Sequence, residues 1–381
     1  MNIFILSLSL ILPVISLPFL IFVALIERFR PKWILFLISL TLGLIVYAYS
    51  PTPSKDIYRQ YEKIEYMHKG GYDALIEYTD KGGSKLFLYF LYFCSLINWF
   101  NFLPLFLVTC SYLLYFLGMR QIITRAGSTD FIYIFILTLW IFSTMSYPFL
   151  ISSLRQPFAV ALFFYILQKE NISILYIIIV LAIAMMFHVT GALMAGSFIV
   201  VYLWNEKKWT LMIFFISIFS VLSLFSGSLG LSSGVEEKMD LYADANEVSI
   251  KILALSYINI SVVSLISLQL FYRKCKLRLG EEKFPVIFTL STLLFLNQPI
   301  VFQRLTFFVP LFFFPVSLRY FRESKDWLSL YGTLFCISLA CLYGTRLTIA
   351  NFGGLEFWPE FYYRDVFSIL LFAKNYCLTY L

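Results

Sequence analysis

Long apolar runs separated by short charged segments dominate the chain. They fall at 3–26, 33–49, 86–99, 102–119, 131–147, 151–167, 172–204, 209–225, 250–272, 284–298, 304–321 and 327–345. A bilayer core takes about 20 apolar residues per helix, and this pattern supplies such runs repeatedly. Three hydrophilic stretches interrupt them, at 50–85, 226–249 and 346–381. Pro13 and Pro18 predict kinks in the first run.

Two runs have the wrong length for a simple span. The run 86–99 is too short and fits a re-entrant or interfacial helix. The run 172–204 would make roughly 50 Å of helix, too long for one crossing. His188 lies near its middle, with Gly191 and Gly196 close behind. The expectation is therefore a break at His188 into two short helices, 172–187 and 189–204.

Loop charge supports both choices. With 86–99 not crossing and a break at His188, the loops 27–32, 120–130, 168–171, 205–209, 273–283 and 319–326 share one side. They hold about sixteen Lys and Arg against about eight Asp and Glu. Short basic loops mark the cytoplasmic side. The three hydrophilic stretches and the N-terminus then lie outside. The predicted fold is an all-α polytopic integral membrane protein. One domain of residues 1–381 carries about twelve transmembrane helices plus short re-entrant or interfacial helices.

Composition agrees: 60% of residues are hydrophobic and 13% charged, against a usual charged share of about 25%. The first run is not preceded by basic residues, and Arg28, Arg30 and Lys32 follow it. It is expected to be a first membrane helix rather than a cleaved signal. The net charge of +7 is spread over short loops, so nucleic acid is not an expected partner. Six scattered cysteines without a CxxC pair predict neither a zinc site nor a disulfide framework. No DxD motif, metal-ligand spacing or GxxxxGK[ST] loop is present, so neither a metal nor a nucleotide cofactor is expected.

Ionisable residues at membrane-buried helix ends are expensive and point to function. Arg155 lies in Ser152-Ser-Leu-Arg-Gln-Pro157, where Ser152 or Ser153 can cap a helix and Pro157 is tolerated only in its first turn. The helix dipole disfavours a cation there. Free N–H groups and a guanidinium would instead converge on an anion. Arg304 repeats the arrangement after Asn297-Gln-Pro299, and Arg346 is a further external cation. His188 has the near-neutral pKa suited to taking a sugar hydroxyl's proton. In the first hydrophilic stretch, Asp56, Tyr58 and Tyr61 are candidate sugar contacts by stacking and hydrogen bonding. The same stretch also reads as an amphipathic surface helix.

These residues resemble, in their order, the EpsG-like, Wzy-type polysaccharide polymerases. The resemblance rests on Asp56-x-Tyr58, on Arg155 in SSLRQPFAVAL, on Phe187-His188 followed by small residues, and on Arg304 in QRLTFFVPLFFF. One departure is that Glu-Pro, frequent in such proteins before the short helix, is replaced by Asp80-Lys-Gly-Gly-Ser-Lys85. The resemblance implies a GT-C-like fold in the bacterial cytoplasmic membrane. It also implies transfer of a growing glycan from undecaprenyl diphosphate to the next lipid-linked repeat unit at the outer face. Arg155 and Arg304 would bind diphosphates, and His188 would act as general base or phosphate ligand. A chain-length regulator is an implied partner. An O-antigen-type ligase and a lipid-linked oligosaccharide flippase remain as alternatives.

Overall fold

A computed structural model describes residues 2–50, 56–80, 84–127, 131–145, 154–169, 174–188, 190–205, 283–292, 302, 305, 308–309, 311–313, 315, 356–357 and 364–371. The predicted segments at 209–225, 250–272 and 327–345, the stretch 226–249, Arg304 and Arg346 lie outside these residues. The described chain is almost wholly helical, apart from one two-residue ladder. The helices are α1 (Asn2–Ile11), α2 (Pro13–Ile26), α3 (Lys32–Tyr47), α4 (Asp56–Asp80), α5 (Lys85–Leu96), α6 (Phe102–Ala126), α7 (Phe131–Thr144), α8 (Arg155–Leu167), α9 (Ile174–Phe187), α10 (Thr190–Asn205) and α11 (Phe284–Thr292). Strand β1 (Tyr49–Ser50) pairs antiparallel with β2 (Glu356–Phe357).

The chain divides into two compact units. One comprises residues 1–80, 84–188 and 344–381, and the other comprises 81–83 and 189–343. In the second unit, α10 packs on α11 and Ser197 Oγ donates to Ser291 Oγ at 3.1 Å. A cluster of Phe284, Phe288 and Phe312, with ring centroids 5.1–5.6 Å apart, fills its described core.

The first unit is built around α6, which has 25 residues. By length and composition α6 can cross a membrane. The other apolar helices are shorter, from Pro13–Ile26 to Leu175–Phe187. Close neighbours on two flanks of α6 are admitted by a glycine at each contact, one on α3 and one on α6 itself. Gly43 of α3 lies against Thr109 and Leu105, where a Cβ would sit 2.9 Å from the Leu105 carbonyl oxygen. On another flank, Gly118 lies against the Phe164 ring of α8, where a Cβ would come within 2.7 Å.

Proline breaks the first apolar run at Pro13, whereas Pro18 lies inside the continuous helix α2. Leu12, before Pro13, leaves helical geometry (φ −134°, ψ 67°), and Pro13 opens α2. The turn into α3 holds Arg28 and Phe29 in the left-handed region, both at φ 56°. Phe29 is buried there, its ring centroid 5.9 Å from that of Phe116. The long apolar stretch ends α9 at Phe187 and restarts at Thr190, so the break falls at His188 as expected.

The stretch after β1 forms the amphipathic helix α4. Ile57, Gln60, Tyr61, Ile64 and Met67 are buried at helical spacing. The chain reverses at Gly71 (φ 63°, ψ −142°), a conformation open to glycine. Tyr66 Oη therefore donates to Glu77 Oε2 at 2.6 Å. In an unbroken helix the two residues would stand roughly 16 Å apart. Lys63 Nζ lies 5.6 Å from the Tyr78 ring centroid across the same reversal.

Tyr47, at the end of α3, ties distant segments together. Its hydroxyl donates to the Leu370 carbonyl at 2.7 Å and accepts from Trp99 Nε1 at 2.8 Å. Its carbonyl accepts from Asn101 Nδ2 at 2.9 Å. The helical turn over 366–371 is started by Asp365, which accepts from the Ser368 amide and hydroxyl. Those bonds hold the Asp365 carboxyl below its ordinary pKa. The Tyr47–Leu370 bond and the β1–β2 ladder join residues 366–371 and 356–357 to the chain around residue 50.

Candidate functional site

Arg155 is the first residue of α8, Gln156 the second and Pro157 the third. Pro157 lacks an N–H and so fits the first turn, where amides have no intrahelical acceptor. The half-buried Arg155 thus sits at the end of the helix that disfavours positive charge. Lys169, beyond the other end, occupies the favoured position. Its Nζ lies between the rings of Tyr165 and Tyr176, 4.9 and 4.7 Å from their centroids.

Two tyrosines of α6 bond to neighbouring segments, and the second sets the height of Arg155. Tyr112 Oη donates to the Met145 carbonyl and Tyr115 Oη to the Pro157 carbonyl, each at 2.9 Å. Near the far end, Arg125 donates through Nη2 to Gln168 Oε1. α6 and α8 therefore run alongside in the same direction. Arg155 stands level with about the middle of α6, roughly 15 Å in from its start. A cation at half the length of the one described helix able to cross a membrane is an unusual placement.

The surroundings of Arg155 are aromatic. Its guanidinium carbon lies 5.0 Å from the ring centroid of Phe87, which is buried near the start of α5. Phe87 packs against Phe187 at 6.1 Å, and Phe187 against Phe158 at 4.7 Å. The starts of α5 and α8 and the end of α9 therefore meet at one place. His188 follows Phe187 directly and is half-buried, its amide donating to the Ala184 carbonyl at 3.0 Å. Among the described residues, no carboxylate lies within ion-pair distance of Arg155.

The sugar contacts expected in α4 are placed differently from one another. Asp56 is the first residue of the helix, and Tyr58 is half-buried. Tyr61 is fully buried, its ring 6.2 Å from that of Phe100. The expectation of a sugar face at Tyr61 is corrected: helical periodicity turns that ring into the protein's interior. His68 uses Nδ1–H to donate to the Ser95 carbonyl at 2.9 Å, which pins α4 to α5. Arg304 and Arg346 lie outside the described residues. Phe87 carries no signal of this role in the sequence, because nothing in a short apolar run marks one Phe as a cation's partner.

Among the described residues, no three His, Cys, Asp or Glu side chains gather as a metal site. No family model, no curated protein and no solved structure matches this chain.

Proposed function

We propose that this chain is a multi-pass protein of the bacterial cytoplasmic membrane that polymerises lipid-linked oligosaccharide repeat units at the outer face. In this reading it is a metal-independent glycosyltransferase that moves the growing glycan from undecaprenyl diphosphate onto the next repeat unit. The observation that carries the reading is Arg155. It is a cation at a helix start, level with the middle of α6, with no carboxylate partner among the described residues. An anionic group of a bound substrate is a fitting counter-charge for it.

The exposure pattern supports a lipid environment. Large apolar side chains point outward, among them Ile11, Phe22, Ile132 and Leu175, each more than half exposed. Ile15, Phe19, Phe22 and Ile26 form one exposed face of α2 at helical spacing. Hydroxyls are buried instead: Ser39, Ser111, Thr138 and Thr144 each donate to the carbonyl four residues earlier, at 2.7–2.8 Å. An exposed apolar helix face of this kind suits hydrocarbon rather than water.

In the proposed reaction an acceptor sugar hydroxyl attacks the anomeric carbon of the donor glycan. The bond from that carbon to the diphosphate oxygen breaks as the new glycosidic bond forms. His188 takes the hydroxyl proton. Arg155 takes up the negative charge that develops on the departing undecaprenyl diphosphate, and Arg304 is proposed from the sequence as a further diphosphate ligand. Cleavage of the lipid diphosphate linkage supplies the driving force. Asp56, Tyr58 and Arg346 remain proposed substrate contacts.

Comparing glycan ladders from Arg155→Ala, His188→Ala and Arg304→Ala at matched expression tests this. The reading predicts collapse of each ladder to single repeat units still transferred to their final acceptor. Full-length ladders from all three variants would sink it. Complete loss of transferred glycan, single units included, would instead indicate a ligase.

A further inference from the structure

We infer that Phe87 is a positioning residue for Arg155, holding its guanidinium by a cation–π contact so that its N–H donors are presented to an isoprenyl diphosphate. The inference rests on the reading of the α8 start as a diphosphate site, and it adds the residue that prepares that site.

Among the described residues the Arg155 guanidinium has no carboxylate partner, yet its carbon lies 5.0 Å from the Phe87 ring centroid. The face of an aromatic ring carries negative quadrupole density and attracts a cation. Such a contact occupies none of the five N–H donors, so the fork that matches phosphate oxygens stays available. A long, free Arg side chain would have to be ordered when the ligand arrives, and prior ordering lowers that cost.

Phe87 is itself held firmly. It is almost fully buried, and Phe187 and Phe158 continue the aromatic contact behind it. The ring therefore offers a fixed face at the junction of α5, α8 and α9. Since Phe187 directly precedes His188, the same cluster sets the end of α9 from which His188 emerges. A branched aliphatic residue at position 87 would fill similar space without attracting the cation.

The test separates charge from shape. Phenylalanines bearing one, two and three ring fluorines are introduced at position 87 of the full chain in lipid nanodiscs. Fluorination drains the ring's negative face while changing its size little. Binding of geranylgeranyl diphosphate is measured for each, with Arg155→Ala as the reference loss. The expected result is a Kd that rises stepwise with fluorine count, by about two- to fivefold across the series, while Arg155→Ala abolishes binding. If Arg155→Ala abolishes binding and the fluorinated series is flat or follows no order, the role of Phe87 is overturned and the diphosphate site stands. If Arg155→Ala binds as well as the wild type, or the wild type does not bind, the diphosphate reading fails and the role of Phe87 fails with it.

Discussion

At the scale of single residues, two side chains organise the account: Arg155 at the candidate site and Tyr47 in the frame that holds the first unit together. Tyr47 is fully buried, and its hydroxyl both donates to the Leu370 carbonyl and accepts from Trp99. Tyr47→Phe keeps the ring and removes both bonds, leaving a part-buried indole N–H and a carbonyl to find other partners. A loss of about 1–3 kcal/mol is expected. It should show as a lower unfolding midpoint and faster proteolysis after residue 344, whereas an unchanged midpoint would show that these bonds are replaced by water. The position of Arg155 in a first helical turn is legible in the sequence, because Pro157 can stand only near a helix start. Its partner Phe87 is not legible, since a cation–π contact between two helices leaves no trace in either segment alone. Tyr61 shows a readable pattern read wrongly: buried Ile57, Tyr61 and Ile64 follow helical spacing, and that spacing predicts an inward ring.

At the scale of elements, the fit of α3 against α6 depends on Gly43. A methyl group there meets Thr109 and stands 2.9 Å from the backbone oxygen of Leu105, which has no freedom to rotate away. Gly43→Ala is therefore expected to destabilise the pair by about 1–3 kcal/mol through overpacking. The same change at Gly127, where nothing lies within 4 Å, meets no neighbour and costs only its left-handed backbone strain, about 1–2 kcal/mol. Chemical unfolding in detergent, read by Trp fluorescence, would compare the two. A Gly43→Ala protein as stable as the wild type would show that α3 can shift outward freely. Breaks at Pro13 and His188 are legible because proline chemistry and span length each demand them. The reversal of α4 at Gly71 is not read from the sequence, although Gly70-Gly71 marks it. An amphipathic pattern continues on both sides of the reversal and hides it.

At the scale of the whole molecule, the described helices carry exposed apolar faces and buried, back-bonded hydroxyls, and Arg155 stands level with the middle of α6 within the first unit. The all-helical character is legible from run lengths alone. The height of Arg155 is not, because it depends on how α8 lies along α6, which the Tyr115–Pro157 and Arg125–Gln168 bonds set. The proposed activity joins these features: the anionic diphosphate of a lipid-linked glycan would supply a counter-charge for Arg155. The most direct measurement takes the purified full chain in vesicles, supplied only with undecaprenyl-diphosphate-linked single repeat units, and follows product length by gel. The account predicts chains of two or more repeats with release of free undecaprenyl diphosphate, and a fall of roughly a hundredfold or more in rate for Arg155→Ala. Unchanged single units from the wild-type protein, or equal chain growth by Arg155→Ala, would contradict it.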